Sequence, residues 1–254
     1  MSLAGRSAII TGARGGIGSA VARAFAREGA NLCLADLEPH PELAAELSEL
    51  GIKAIDVPAD VTRKPSVDAL VQEAVGALGK VDILVNVAGT ISFGSAESLA
   101  EAEWDRVLAV NLKGTFLCCQ AVIGRMRGQK YGRIINIGSI LGKNGGNARP
   151  WLDRTEQQSA ANIAYGASKA GVHALTLYLA RELAADGITV NAVAPGPIAS
   201  KMTKNFPERL RNLIPAGRLG TADEVAQACV FLAAESSGYV TAEVLDVNGG
   251  LWGD

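Results

Sequence analysis

Ser7-Ala-Ile-Ile-Thr11-Gly-Ala-Arg-Gly-Gly-Ile-Gly18 leads into a helical pattern from Ser19 to Glu28 and then into Asn31-Leu-Cys-Leu-Ala-Asp36. Ser7–Thr11 is a short apolar run and reads as a buried strand. Gly29 closes the helix, and the second apolar run ends on an acid. A strand, a glycine-rich turn, a helix and a second strand in such close succession make a βαβ unit. The glycines permit a tight turn and let backbone approach a pyrophosphate. The helix start offers free N–H groups and a partial positive charge. Asp36 stands where an acid accepts hydrogen bonds from ribose hydroxyls, so this stretch is expected to hold a dinucleotide.

The alternation continues along the chain. Helices are expected over Pro41–Leu50, Pro65–Leu78, Glu101–Met126 in one or two pieces, and Ile163–Ala185, which Gly187 ends. Pro65 suits a first helical position. Strands are expected over Ile52–Val57, Val81–Val85, Gly132–Ile137, Ile188–Ala194 and Val244–Val247. Thr221-Ala-Asp-Glu224 has the form of a capping box that starts the last long helix. No repeat or low-complexity linker interrupts the pattern, so residues 1–254 read as one α/β domain. Strands that alternate with helices imply a mainly parallel sheet covered on both faces, with ligands beyond the carboxyl ends of the strands.

Composition narrows the function. The chain is 48% hydrophobic but only 5% aromatic, with 29 glycines, which suits close packing of helices on a sheet. Its formal net charge of −2, without a Lys/Arg block, argues against nucleic acid and anionic membrane as partners. Apolar runs such as Val190–Ala194 are too short to span a bilayer, and no charged-then-apolar leader precedes the first strand, so a cytoplasmic protein is expected. Cys33, Cys118, Cys119 and Cys229 form no C-x-x-C pair and read as buried reduced thiols. His40 and His173 stand alone, so neither a metal site nor a Ser-His-Asp triad is expected.

Tyr165-Gly-Ala-Ser-Lys169 carries the chemistry. Residues four apart share a helix face. An ammonium beside a phenol favours phenolate, so the Tyr165 pKa is expected to fall. Y-x-x-x-K alone is a weak signal; singly, Ser139 reads as a strand-end cap, Asn111 as a helix kink or cap, and Asn86 as a turn residue. Together with Thr11-Gly-x-x-x-Gly16-Ile-Gly18, Asp60-Val61, Asn86-x-Ala88-Gly89 and Pro195-Gly196, however, they occur in one order over nearly the whole chain. In this the sequence resembles the short-chain dehydrogenase/reductase family, and its ending Val-Asn248-Gly-Gly resembles the 3-oxoacyl-carrier-protein reductase branch.

The resemblance implies a Rossmann-like, doubly wound parallel sheet of about seven strands with helices on both faces. It implies hydride transfer between a nicotinamide cofactor and a secondary alcohol or ketone. Tyr165 is then the general acid and base, Ser139 bonds the substrate oxygen, Lys169 holds the nicotinamide ribose, and Asn111 positions a water that connects Lys169 to solvent. Cofactor contacts are implied for Gly12, Arg14, Gly16, Ile17, Gly18, Asp36, Asp60, Val61, Asn86, Ala88, Gly89, Tyr165, Lys169, Pro195, Gly196, Ile198 and Ser200. Substrate contacts are expected from Ile140, Leu141, Asn144 and Trp151. A homotetramer is implied, with the helices after Glu101 and around Tyr165 in contact and Gly166, Ala170 and Gly171 allowing close approach. A non-catalytic nucleotide sensor would be expected to lose Ser139, Tyr165 or Lys169, and all are present.

Three departures from the family refine this. Gly15 and Leu37 occupy positions where users of the 2′-phosphate carry Arg or Lys, and Asp36 would repel that phosphate, which favours NAD(H). Arg14, one residue away, leaves NADP(H) open. Lys130 matches a carrier-docking base, but Asp186 replaces a second one, which should weaken docking of an acidic carrier and leaves a free hydroxy compound, a sugar alcohol or an acyl-CoA equally open. Finally, the stretch between Ser139 and Tyr165 is longer than usual. Lys143–Asn162 is expected to be a polar loop that borders the substrate, with Trp151 and Leu152 packed on a surface and Lys143, Arg149 and Arg154 available to an anionic group.

Overall fold

The computed structural model describes residues 2–145, 151, 153–200, 203–204 and 206–253. Strand β1 (Ser7–Thr11) leads through the glycine turn to α1 (Gly16–Arg27) and β2 (Asn31–Asp36); α2 (Pro41–Ser48), β3 (Ala54–Pro58), α3 (Lys64–Leu78) and β4 (Ile83–Asn86) follow. Next come α4 (Glu101–Leu108), a π-helical turn (Ala109–Lys113), α5 (Gly114–Gln129) and β5 (Gly132–Ile137). The chain continues with α6 (Leu141–Asn144), α7 (Arg154–Ala160), α8 (Ile163–Leu183), β6 (Ile188–Pro195), α9 (Glu208–Arg211), α10 (Ala222–Ala233) and β7 (Val244–Val247).

The seven strands form one sheet in the order β3-β2-β1-β4-β5-β6-β7, and every pairing is parallel. This is a Rossmann-like α/β fold. The order reverses between β1 and β4, where the chain switches from one half of the sheet to the other. A crevice at the carboxyl ends of these strands is where such folds bind ligands.

Both faces are buried, which is why the strands read as continuous apolar runs. On one face Phe25 and Val21 of α1 and Val225 and Leu232 of α10 pack over Ile10, Leu34 and Ile135. On the other, Val67 and Leu70 of α3, Val122 and Met126 of α5, and Leu179 and Leu183 of α8 pack over Ile9, Leu84 and Val190. The helical stretch from Glu101 to Gln129 is long and apolar enough to cross a membrane, beyond the short runs weighed from the sequence. Leu117, Cys119, Val122 and Met126 nonetheless lie in the second core, so we read it as a core helix. All four cysteines are buried free thiols, and burial pushes Cys33, Cys118 and Cys229 up to about 12.

The Thr221–Glu224 pattern folds as a capping box: the Thr221 hydroxyl accepts the Glu224 N–H at 3.2 Å, and Glu224 accepts the Thr221 N–H at 2.8 Å. Among the described residues, the short helices α6, α7 and α9 go beyond the sequence expectation. Of these α7 matters most, because the stretch from Lys143 to Asn162 is not simply a loop. Asp153 caps α7 by accepting the Glu156 N–H at 2.7 Å. An Asp three residues before a Glu was the signal for it.

Candidate active site

The glycine turn is fixed by contact. Gly12 has φ of +68°, and a Cβ there would lie 2.7 Å from the Ala88 nitrogen. A Cβ on Gly18 would lie 2.1 Å from the Gly12 carbonyl oxygen, so the first turn of α1 folds directly onto the loop. Thr11 Oγ1 accepts the N–H groups of Val87 and Ala88 at 3.2 and 3.3 Å, joining this turn to the end of β4. At Gly16 a Cβ would meet nothing within 4 Å. The start of α1 has neither a side-chain cap nor an acid in its first turn. Ile17, beside it, packs against the core. An open glycine face at an uncapped helix N-terminus fits a pyrophosphate.

Asp36 ends β2 beside this turn. Its carboxylate accepts the Arg14 N–H at 3.0 Å and the Leu37 N–H at 2.8 Å. The Arg14 guanidinium forms an ion pair with Glu38. Asp60 Oδ1 accepts from the backbone and hydroxyl of Thr62 at 2.9 and 2.7 Å, which shapes the loop after β3. Val61 is buried, and Gly114 of α5 lies so close that a Cβ there would be 2.8 Å from Val61 Cγ2.

The reactive side chains meet at the ends of β4, β5 and α8. Ser139 follows β5 and is buried. Its Oγ accepts the Leu141 N–H at 3.2 Å, which leaves its proton free to favour the phenolate of nearby Tyr165. Lys169 lies one helical turn beyond Tyr165. It is 4% exposed and donates to the Ile137 carbonyl at 2.6 Å. Its Nζ is 5.7 Å from the Tyr165 ring centroid. A Cβ on Gly89 would be 3.5 Å from Asn111 Oδ1 and 3.7 Å from Lys169 Nζ, so Gly89 opens the space beside both.

Burial dominates the electrostatics and corrects one expectation. The Tyr165 phenol is raised, not lowered, because desolvation outweighs the opposing Ser139 hydrogen bond. Lys169 bears the counterpart: burial lowers its ammonium to about 8. The same apolar surroundings disfavour the charged form of each group, and Lys169 stays an ammonium below about pH 8.

Asn111 sits in the π-helical turn, a distortion that recurs at functional sites. Its side chain accepts the Thr90 N–H at 2.8 Å and donates to the Thr90 carbonyl and the Ser168 hydroxyl, each at 2.9 Å. Its carbonyl accepts the Thr115 hydroxyl at 2.7 Å. Asn111 therefore fastens the strand-end loop to α8. Asn86 donates to Asn136 at 2.9 Å, and Asn136 donates to Thr176 at 2.9 Å, a polar ladder across β4, β5 and α8 that sequence reasoning missed. Pro195 accepts the Ile140 N–H at 3.1 Å, and Gly196 donates to Val247 at 3.0 Å. Ile198 bridges to Gly220, while exposed Ser200 donates its N–H to Thr203 Oγ1 at 2.8 Å.

The insertion is anchored on both sides. Gly94 pairs with Asn162 and donates to the Ala161 carbonyl at 2.8 Å. Arg154 bonds Glu97 at 2.8 Å, and Arg209 of α9 bonds Glu156 at 2.6 Å. Lys143 is turned to β7, donating to the Val244 carbonyl and to Asp246 at 2.9 Å each. Lys143 and Arg154 are thus drawn to acids of the chain itself, contrary to the expectation for an anionic substrate. Arg149 and Leu152 lie outside the described residues. A cleft of about 460 Å³ opens between α6, the start of α8 and the Ser95 segment, and Leu141 and Trp151 line it. Ile140 and Asn144 do not, and neither do Ser139, Tyr165 and Lys169.

Comparison with known proteins gives the family. A family model described as enoyl-(acyl carrier protein) reductase matches residues 12–252, and the chain belongs to the short-chain dehydrogenase/reductase family. The chain is 41% identical over 256 residues to the (2S)-[(R)-hydroxy(phenyl)methyl]succinyl-CoA dehydrogenase subunit BbsD of Thauera aromatica, with 98% of each chain covered. It is 38% identical over 257 residues to the 3-oxoacyl-[acyl-carrier-protein] reductase FabG of Thermotoga maritima, with 99% of each covered. It is also 39% identical over 251 residues to nodulation protein G of Azospirillum brasilense, covering 96% of this chain and 97% of that one. The family's chemistry is oxidoreduction at alcohol and keto groups.

Proposed function

We propose that this chain is an NAD(H)-linked dehydrogenase or reductase of a secondary alcohol and its ketone, with Tyr165 as general acid and base. The observation that carries this reading is the buried Lys169 ammonium, held on the Ile137 carbonyl with its Nζ 5.7 Å from the Tyr165 ring, beside the buried Ser139. Gly12, Gly16 and Gly18 would hold the pyrophosphate and Asp36 the adenosine ribose. The dinucleotide, when bound, supplies or accepts the hydride. Tyr165 gives its proton to the carbonyl oxygen in reduction and takes the alcohol proton in oxidation. Ser139 donates to that same oxygen and holds it within reach of the phenol. Lys169 adds positive charge beside a developing phenolate, and Asn111 keeps the Thr90 loop and Ser168 in place around it.

The preference for NAD(H) rests on charge. Asp36 ends β2 beside the glycine turn, where the adenosine ribose would lie, and Glu38 adds a second acid that engages Arg14. A 2′-phosphate would be repelled there. Asp36→Ala is expected to weaken NADH binding roughly tenfold, by removing hydrogen bonds to the ribose, and to narrow the gap to NADPH. Fluorescence titration with both nucleotides measures this. Tighter binding of NADPH than of NADH by the wild type would contradict the charge argument.

The substrate is proposed to be free or a CoA thioester rather than bound to an acidic carrier. Asp186 pairs with Arg127 at 2.8 Å and approaches Lys130 at 3.8 Å, so it offsets the cations a carrier would meet. The second reading, a 3-oxoacyl-carrier-protein reductase that uses NADPH, takes its support from the reductase relatives. The insertion is proposed to border the substrate, because its ion pairs tie it to the segments after both β4 and β6. Shortening Lys143–Asn162 should then raise KM or change substrate choice several-fold and leave NADH affinity unchanged. A folded, shortened protein with an unaltered substrate profile would refute this.

We further propose a homotetramer built on α4, α5 and α8. Leu108, Leu112, Phe116 and Leu175 form an outward apolar patch that suits such a contact. Gly171 is used within the protomer instead, since a Cβ there would lie 2.8 Å from Leu112.

A further inference from the structure

We infer that His173 is a positioning residue that sets the place of Ser139 relative to Tyr165. The inference rests on the proposed role of Ser139. Tyr165, Lys169 and His173 succeed one another at four-residue intervals on α8, so they form one stripe along the helix. The His173 ring is buried. Its Nε2 accepts the backbone N–H of Ser139 at 3.4 Å.

The turn after β5 is shaped around this ring. A Cβ on Gly138 would lie 2.2 Å from His173 Nε2 and 2.7 Å from its Cδ2. A Cβ on Gly142 would lie 2.8 Å from His173 Cε1 and 2.7 Å from the Lys169 carbonyl carbon. The residues on either side of the Ser139–Leu141 turn therefore need to be glycine for the ring to fit. The turn is held on its other side by the Ile140 N–H on Pro195 and the Gly138 N–H on Val193. His173 supplies the contact from the helix that also carries Tyr165 and Lys169. A shift of the Ser139 backbone would carry its hydroxyl away from the phenol, and misplacement by about 1 Å can lower a rate on the order of a hundredfold.

To accept a hydrogen bond, Nε2 must be the unprotonated nitrogen of a neutral ring. A glutamine at this position presents an amide oxygen near the place of Nε2, whereas leucine fills the space without an acceptor. His173→Leu is expected to lower kcat roughly tenfold or more, with the NADH dissociation constant within about twofold of wild type. His173→Gln should recover most of the turnover. Ser139→Ala, measured alongside, separates this inference from the reading it rests on. Loss of turnover in Ser139→Ala with wild-type turnover in His173→Leu would overturn the His173 role alone. Full turnover in Ser139→Ala would overturn both. Equal impairment of the Leu and Gln variants, with equally lowered melting temperatures, would reduce His173 to packing and overturn its role as acceptor. Should neither variant fold, NMR of isotope-labelled histidine in the wild type decides: an unprotonated Nε2 at neutral pH is expected, and a protonated Nε2 would overturn the inference.

Discussion

Tyr165→Phe is expected to lower kcat by about two to four orders of magnitude, the range over which a positioned acid–base group contributes. The change removes one oxygen from a ring that stays in the same helix. NADH affinity and the melting temperature should therefore remain close to wild type. The partner left behind is the Ser139 hydroxyl, which keeps its bond from the Leu141 N–H. Steady-state turnover and nucleotide titration on the same preparation test this. Near wild-type turnover would remove Tyr165 from the acid–base role.

Lys169→Met is expected to raise stability while it abolishes most turnover. Burial lowers the Lys169 ammonium from 10.5 to about 8. Between those values the unfolded chain binds more protons than the folded one, so stability rises with pH across that window. Below about pH 8 the ammonium is charged in both states, and its desolvation opposes folding in full. Methionine of similar length removes that opposition and fills the space. The gain at neutral pH should be roughly 2–3 kcal/mol. It should shrink as pH rises through about 8 and be nearly lost above about 10.5, where the wild-type lysine is neutral in both states. Denaturant unfolding of both proteins at several pH values measures it. A variant less stable than wild type at pH 7 would mean that the bond to the Ile137 carbonyl outweighs the desolvation.

Such an exchange of stability for chemistry explains why the electrostatics of the site were only half legible in the sequence. The spacing of Tyr165 and Lys169 sets a helix-face relation that any reader of the chain can draw. The direction of the Tyr165 shift depends on how deeply other elements bury it, and no local pattern states that. The glycine turn and Asp36 were legible because their geometry is local: strand, turn and helix follow one another directly. The Asn86–Asn136–Thr176 ladder and the bond from Ser139 to His173 join residues from separate elements, so periodicity gives no sign of them. Lys143 shows the same limit. In sequence it belongs to a polar insertion, yet its ammonium reaches Val244 and Asp246 on the last strand. The short α7 was within reach, since Asp153 and Glu156 carry a capping signal, but the surrounding Gly and Pro residues favoured a loop reading.

The central claim, hydride exchange between a nicotinamide and a secondary alcohol carbon, is tested most directly by isotope transfer. The wild-type chain is mixed with NADH carrying deuterium at both hydrogens of nicotinamide C4 and with a set of ketones that includes 3-oxoacyl-CoA thioesters. Products are analysed by mass spectrometry and NMR. We predict stoichiometric transfer of deuterium to the new carbinol carbon of at least one ketone, with the transfer lost in Tyr165→Phe. Absence of label from every product under conditions where the chain binds NADH, or unchanged transfer by Tyr165→Phe, would contradict the account.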